Sequence, residues 1–137
     1  MEKEIELNVT NLKSYFSTYT PDLGNLLSLV KFSTGQSNPT YKITTEKQQF
    51  VLRRKPPGIL LPSAHAVDRE YKVITALNSL NYPVPETFCL CEDESIIGTI
   101  FYVMEMVEGR IIWDPTIPNS SQEIRKEIFK AKNKTLA

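Results

Sequence analysis

A strand-like stretch that ends in three cations places the strongest constraint on how this chain folds. Residues 50–55 read Phe-Val-Leu-Arg-Arg-Lys. Because side chains alternate along a strand, Val51 and Arg53 share one face with Lys55, and Arg54 points to the other. A cation at the end of an apolar strand must reach water or meet an anion. We therefore predict a partner for Arg53, and we interpret Arg54 and Lys55 as bystanders.

The predicted partner is Glu70, in the helical pattern that follows. The sequence favours a helix from about 64 to 80 with Ser63 as its N-cap. Glu70 lies within the apolar stripe of this helix, three residues after Val67. Burying a carboxylate alone is costly, so it needs a cation from another element. An ion pair between Glu70 and Arg53 satisfies both groups.

The remaining elements predict an α+β fold. Short β-rich patterns separated by turn formers indicate five strands, at 26–32, 40–45, 49–54, 87–91 and 100–107. The first three form an antiparallel meander, joined by a polar loop and a tight turn. Amphipathic patterns add a helix near each end of the chain: one over 9–19, capped by Asn8 or Thr10, and one from Gln122, capped by Ser120 or Ser121. We expect a five-stranded antiparallel sheet with one packed helix and flanking N- and C-terminal helices.

Composition excludes several classes of function. The 16 basic and 16 acidic residues cancel, so the chain has no general electrostatic footprint for nucleic acid. No apolar run approaches the roughly 20 residues of a membrane helix, and we expect no membrane partner. Cys89 and Cys91 are best interpreted as small buried hydrophobic residues in a reducing compartment. A metal site would need further Cys or His ligands, and His65 is the only histidine.

Uncommon strings recur in order through the middle of the chain. They lie at 37–40 (Ser-Asn-Pro-Thr), 50–58, 60–65, 68–71, 83–85, 97–99, 101–105 and 109–111. With the order of elements, they resemble the N-terminal lobe of aminoglycoside phosphotransferase-like kinases. The resemblance is strongest to the kinase-like domain of acyl-CoA dehydrogenase family members 10 and 11. It implies a protein-kinase-like N-lobe that binds ATP.

The resemblance also implies roles for individual residues. It implies that the loop over the phosphates comprises Ser33, Gly35, Ser37 and Asn38. It implies that Arg53 is the cation on the phosphates and that Glu70 anchors it. The implied base pocket is lined by Val51, and its hinge is formed by Met104, Glu105, Met106 and Val107. The implied cofactors are ATP and Mg²⁺, with the Mg²⁺ ligands expected only in a second lobe. The acceptor in the intact relatives is a small hydroxylated molecule.

Three departures from the family pattern bear on activity. The phosphate loop holds one glycine, Gly35, and Arg53 stands where protein kinases use lysine. The sequence contains no His-Gly-Asp string, since His65 is followed by Ala66. We therefore expect an N-lobe without its catalytic lobe, inactive alone, as a fragment, a short isoform or a truncated gene model. The expected division is an N-terminal helical extension at 1–25, the lobe at 26–113, and a linker with a truncated helix at 114–137.

Two alternatives to this function remain open. In the first, the chain is a non-catalytic binding or interaction module that keeps the lobe fold. In the second, it is an incomplete product that folds poorly. The Arg53–Glu70 pair would then be purely structural. A fused or associated acyl-CoA dehydrogenase domain is a further partner that the resemblance suggests. The cytoplasm is the default location, and the resemblance adds mitochondria or peroxisomes.

Overall fold

The helices and strands follow the predicted order. The computed structural model describes residues 7–32, 38–56, 66–109, 116–118 and 120–136. A single turn of 3₁₀ helix, Pro21–Leu23, follows the first helix. The elements are α1 (Val9–Tyr19), β1 (Leu26–Lys31), β2 (Thr40–Thr45), β3 (Gln49–Arg54), α2 (Val67–Ser79), β4 (Thr87–Cys91), β5 (Phe101–Glu105) and α3 (Gln122–Leu136).

The five strands form one antiparallel sheet in the order β1-β2-β3-β5-β4. The predicted α+β architecture is confirmed. β3 lies at the centre, so both of its neighbours set the surroundings of the cation-bearing strand. Arg53 lies opposite Thr40 on β2 and opposite Tyr102 on β5, and Val51 lies opposite Met104. This register fixes which side chains meet Arg53.

Helix α1 covers one face of the sheet. Its residues Leu12 and Phe16 are fully buried and join a cluster that includes Phe50 and Leu52 of β3. The Oδ1 atom of Asn8 caps the helix by accepting a hydrogen bond from the Asn11 backbone N–H at 3.0 Å, as predicted. The N-terminal helix therefore contributes to the main core. The predicted boundaries at 1–25, 26–113 and 114–137 stay a prediction.

Helix α2 packs against β4 and β5 on the face that carries Arg53. Val67 is its one fully buried residue. The helix begins at Val67 rather than at residue 64, and the predicted cap Ser63 lies outside the described residues. The residue in the cap position, Ala66, makes no side-chain hydrogen bond. The bond from the Glu70 backbone N–H to the Ala66 carbonyl oxygen, at 3.2 Å, marks the first turn of the helix.

Arg54 points away from the face that carries Arg53, as predicted, and it is buried. Its side chain is 3% exposed, and its Nη1 donates to the Ile97 carbonyl oxygen over 3.4 Å. Alternation places Arg54 on the same face as Leu52, which α1 covers. The burial of Arg54 was not predicted, since the carbonyl group that its side chain contacts lies 43 residues further along the chain.

The C-terminal part of the described chain is more exposed. Helix α3 has no fully buried residue in its described part. Ser121 accepts from the Ile124 backbone N–H at 3.2 Å, which agrees with one of the two predicted caps. Near the end of α3, the Thr135 carbonyl oxygen accepts a hydrogen bond from the Tyr82 hydroxyl at 2.8 Å. Over the described ranges, no helix is both long and apolar enough to cross a bilayer.

Candidate functional site

The predicted ion pair between β3 and α2 forms. Arg53 Nη1 lies 2.8 Å from Glu70 Oε1. Strand alternation turns Arg53 toward α2, and the helical stripe turns Glu70 toward the sheet. Both side chains keep some contact with solvent, at 26% and 33% exposure. Part of each side chain therefore remains exposed beside the ion pair.

Two more side chains hold the Glu70 carboxylate. The hydroxyl of Tyr102, on β5, donates to Glu70 Oε1 at 2.8 Å. The Asn38 amide, at the end of the loop before β2, donates to Glu70 Oε2 at 3.1 Å. Burial and the neighbouring Glu70 carboxylate raise the pKa of Tyr102 well above its usual value, so the hydroxyl stays protonated as a donor. Glu70 thus ties α2 to β3, to β5 and to the loop before β2.

A cavity of about 580 Å³ lies beside this network. Its size falls in the range of roughly 300–1,000 Å³ that is typical of small-molecule sites. Apolar side chains dominate its lining, with carboxylates at one end. The lining residues are Phe32, Thr40, Val51, Pro85, Met104, Glu105, Met106, Val107, Glu108 and Gly109.

The ion pair is adjacent to the cavity rather than part of its lining. Thr40 lines the cavity and lies directly opposite Arg53 on the neighbouring strand. Val51 also lines the cavity, two residues before Arg53 on the same face of β3. A ligand in the cavity that extends along β3 would therefore reach the guanidinium of Arg53.

The backbone after β5 leaves the sheet and borders the cavity. The Glu105 backbone N–H donates to the Glu86 carbonyl oxygen at 2.7 Å, which closes the end of the strand. Beyond it, residues 106–109 make no backbone hydrogen bond to the rest of the described chain. Residues 106–109 border the cavity, so a planar polar ring seated there would lie beside main-chain donors and acceptors.

The structure brings together most of the predicted site residues that it describes. Val51, Met104, Glu105, Met106 and Val107 line the cavity, and Asn38, Arg53 and Glu70 form the adjacent network. Ser33, Gly35 and Ser37 lie outside the described residues. Their assignment to a nucleotide stays a prediction in every case.

Sequence reasoning missed Tyr102 and part of the lining. A signal for Tyr102 was present, since alternation along β5 places it on the same face as Met104. The prediction instead treated 100–107 as one mostly buried run. Phe32, Thr40, Pro85 and Glu108 were missed because they come from four separate parts of the chain that only the tertiary fold brings to one cavity.

The two cysteines lie away from this site, on the face covered by α1. Both are free thiols, and each interacts with the Tyr15 hydroxyl. Burial raises the pKa of the Cys89 thiol to about 11 and also raises that of Cys91. In the described part of the chain, no three His, Cys, Asp or Glu side chains group as metal ligands would.

Comparison with known proteins places this geometry in context. The model of the phosphotransferase enzyme family matches residues 28–137. Acyl-CoA dehydrogenase family member 11 of Rattus norvegicus is 43% identical over 136 residues, which cover 96% of this chain. Acyl-CoA dehydrogenase family member 10 of Mus musculus is 49% identical over 110 residues, which cover 80% of this chain. These matches confirm the resemblance inferred from the sequence.

A solved structure shares the fold. It is a candidate aminoglycoside phosphotransferase of Ralstonia eutropha, 37% identical, with a TM-score of 0.79 over 95% of this chain. The chain spans 37% of that protein. It spans 18% of the rat relative and 10% of the mouse relative. The similarity therefore concerns one part of much longer proteins.

Proposed function

Because this chain belongs to the phosphotransferase enzyme family, we propose that it is the ATP-binding part of a small-molecule kinase. The observation that carries the proposal is the Arg53–Glu70 ion pair beside a largely apolar cavity. A nucleotide triphosphate needs an apolar slot for its base and a cation for its phosphates. Here the two features share the same face of β3.

The cavity suits the base of the nucleotide. Val51 and Met104 lie opposite each other on neighbouring strands and provide apolar contact from the sheet. Phe32 adds an aromatic ring to the same cavity. The backbone groups of residues 106–109 make no backbone hydrogen bond within the described ranges, and they are positioned to form hydrogen bonds with the edge of a purine. We assign the base to this end.

Arg53 suits the phosphates. A guanidinium stays charged at every physiological pH and presents several N–H donors to phosphate oxygens. Glu70 takes up Nη1, and that bond restricts the orientation of the guanidinium. The geometry resembles the ion pair by which kinases position the cation on their phosphates. We assign the phosphates to the Arg53 end of the site.

Mg²⁺ would accompany the nucleotide but is not expected to be held by this chain. Mg²⁺ is typically bound by one or two carboxylates, substrate phosphates and water. The carboxylate nearest the assigned phosphate position, Glu70, is already taken up by Arg53, Tyr102 and Asn38. We propose that any Mg²⁺ ligands, the catalytic base and the contacts to the small-molecule acceptor come from a second lobe. The 137-residue chain would then bind nucleotide weakly and transfer no phosphate.

Titration of the chain with a fluorescent ATP analogue tests the proposal. We expect saturable binding that unlabelled ATP displaces, and we expect Arg53→Ala to raise the Kd for ATP strongly. Arg69→Ala is the matched control, because Arg69 is an exposed arginine on α2 outside the network. Circular dichroism must show that each variant remains folded.

Two results would contradict the proposal. The first is an absence of nucleotide binding by the folded chain, also when a second lobe from a longer relative is supplied. The second is equal binding by wild type and Arg53→Ala. Either result would instead favour an interaction module that has kept the lobe fold without its ligand.

A further inference from the structure

We propose that Tyr102 is a positioning residue of the nucleotide site, acting on the phosphates through Glu70 and Arg53. The proposal rests on the proposed function and extends it to a residue that no nucleotide would touch. Tyr102 is fully buried, and its hydroxyl lies 2.8 Å from the same oxygen of Glu70 that Arg53 contacts. The shared oxygen makes the position of one donor depend on the other.

The Arg53–Glu70 ion pair alone has considerable conformational freedom. Glutamate and arginine have long side chains with many rotamers, and both are partly exposed here. A pair of this kind gains little from its attraction and is easily rearranged by water. An ion pair that must aim a cation at a phosphate needs a fixed point from a buried neighbour, in addition to the Asn38 amide on Glu70 Oε2.

Tyr102 supplies that fixed point. Its ring is enclosed between the sheet and α2, with the Tyr71 ring at 5.9 Å. Its backbone lies in β5, paired with β3 at Arg53 itself. The hydroxyl therefore stands at a constant place relative to the backbone of Arg53. Because it occupies one lone pair of Glu70 Oε1, it restricts where the guanidinium can bind.

The same strand connects this point to the base. Met104 lies two residues after Tyr102 on the same face of β5 and lines the cavity. The distance between the base contact and the fixed point is therefore set by one strand repeat. We infer that Tyr102 matters for ligands that carry phosphates and not for those that end at the sugar.

Tyr102→Phe tests this by removing the hydroxyl alone. We expect the Kd for ATP to rise by about 3- to 10-fold, since an indirect effect should fall below the loss of a whole charge-assisted hydrogen bond. The Kd for adenosine should stay unchanged. Tyr71→Phe is the matched control, and it should leave both values as in wild type. In an Arg53→Ala background, Tyr102→Phe should add no further loss of ATP affinity.

Three outcomes would overturn the role of Tyr102. The first is an unchanged ATP affinity in Tyr102→Phe, which would show that the hydroxyl has no influence on phosphate binding. ATP and adenosine could weaken equally, which indicates a general packing role. The losses from Tyr102→Phe and Arg53→Ala could add, which means that Tyr102 does not act through Arg53.

A measurement without nucleotide separates this inference from the proposed function. Rotation of the Arg53 guanidinium can be followed in the unliganded chain by ¹⁵N NMR of its Nη groups. We expect faster rotation in Tyr102→Phe and no change in Tyr71→Phe. Unchanged rotation in Tyr102→Phe would overturn the positioning role. If wild type binds no nucleotide, the proposed function fails, and this measurement still decides what Tyr102 does.

Discussion

Arg53 and Glu70 meet at 2.8 Å although a quarter of one side chain and a third of the other face solvent. Exposed ion pairs typically contribute only about 0–1 kcal/mol to stability. The value of this pair to the fold is therefore small. The buried hydroxyl of Tyr102 donates to the same carboxylate oxygen, and leaving it without this acceptor should cost more stability than breaking the ion pair.

Substitution of Glu70 separates the two contributions. Glu70→Gln keeps an oxygen for Tyr102, and we expect the free energy of unfolding to fall by no more than about 1 kcal/mol. Glu70→Ala leaves the buried hydroxyl without its acceptor, and we expect a further loss of about 1–3 kcal/mol. Urea denaturation measures both. In a Tyr102→Phe background the difference between the two variants should shrink, and an undiminished difference would contradict the assignment.

Arg54 is a buried cation whose removal need not cost stability. Its one hydrogen bond, to the Ile97 carbonyl oxygen, is long, and its Nε has no partner within the described ranges. A guanidinium cannot escape the burial cost by losing its proton. We expect Arg54→Met to be neutral or stabilising, because Met fills the same space without a charge.

Arg54→Ala serves as the comparison for that variant. It leaves a void at a buried position, and we expect it to lower the free energy of unfolding by about 2 kcal/mol or more. Denaturant unfolding distinguishes the two. A large loss in Arg54→Met would show that the guanidinium itself makes an essential contact.

Cys89 should resist modification at neutral and mildly alkaline pH. Burial raises the pKa of its thiol to about 11 from an ordinary value of 9.0. Thiolate is the reactive form, so alkylation by iodoacetamide should be slow at pH 8 in the folded chain and fast after denaturation. Rapid alkylation of the native protein at pH 8 would argue against this environment.

The same pKa shift predicts how stability depends on pH. The folded state favours the protonated Cys89 thiol. The contribution of this thiol to the free energy of unfolding is therefore complete below about pH 9, and it is lost as pH rises through about 11. The pKa values of Tyr15 and Cys91, which lie in contact with Cys89, are also raised. Both groups should therefore add to the loss of stability at high pH. Unfolding experiments from pH 8 to 11 should show a smaller decline in Cys89→Ala than in wild type.

Gly24 and Gly98 form a matched pair for a test of backbone strain. Their φ angles are +89° and +88°, a region that residues with a Cβ rarely adopt. A Cβ at Gly24 would lie 3.2 Å from the Thr45 Oγ1 and from Lys47 Cγ, whereas one at Gly98 would meet nothing within 4 Å. Thr45 Oγ1 is held by a 2.7 Å bond to the Leu23 carbonyl oxygen, so it cannot easily move aside.

We expect both Gly→Ala variants to be destabilised by about 1–3 kcal/mol through their positive φ angles. Gly24→Ala should lose more than Gly98→Ala, because only it adds a steric contact. Thermal unfolding of the two variants measures the difference. Equal losses would show that the turn at Gly24 relaxes to accommodate the methyl group.

The sequence was most informative where two periodicities met. The alternation of side chains along the strand predicted which face of the sheet carries Arg53. The helical period predicted that Glu70 faces the sheet. Together the two patterns predicted a contact between residues 17 positions apart. Strands β2 and β3 had their predicted bounds. Both signals are local, and each depends on side chains that alternate or repeat within a single element.

The sequence was least informative where a distant element decided the outcome. Arg54 is buried where its side chain contacts the Ile97 carbonyl oxygen, 43 residues further along the chain. Strand β5 ends two residues before the predicted limit, because its pairing with β3 stops at Phe50. The lining contributed by Phe32 and Pro85 likewise depends on how loops from different parts of the chain converge. No local pattern encodes such convergence.

Strand β5 also determines where the chain tolerates a change in length. Tyr102 and Met104 face the site, while Phe101 and Val103 are buried in the opposite core. A single inserted or deleted residue would turn every following side chain to the other face of the sheet. Between residues 101 and 105 such an event would remove both a buried donor and a cavity wall. Insertions should therefore be accommodated only outside this strand, in segments such as 92–95, where the chain is exposed and carries no pairing.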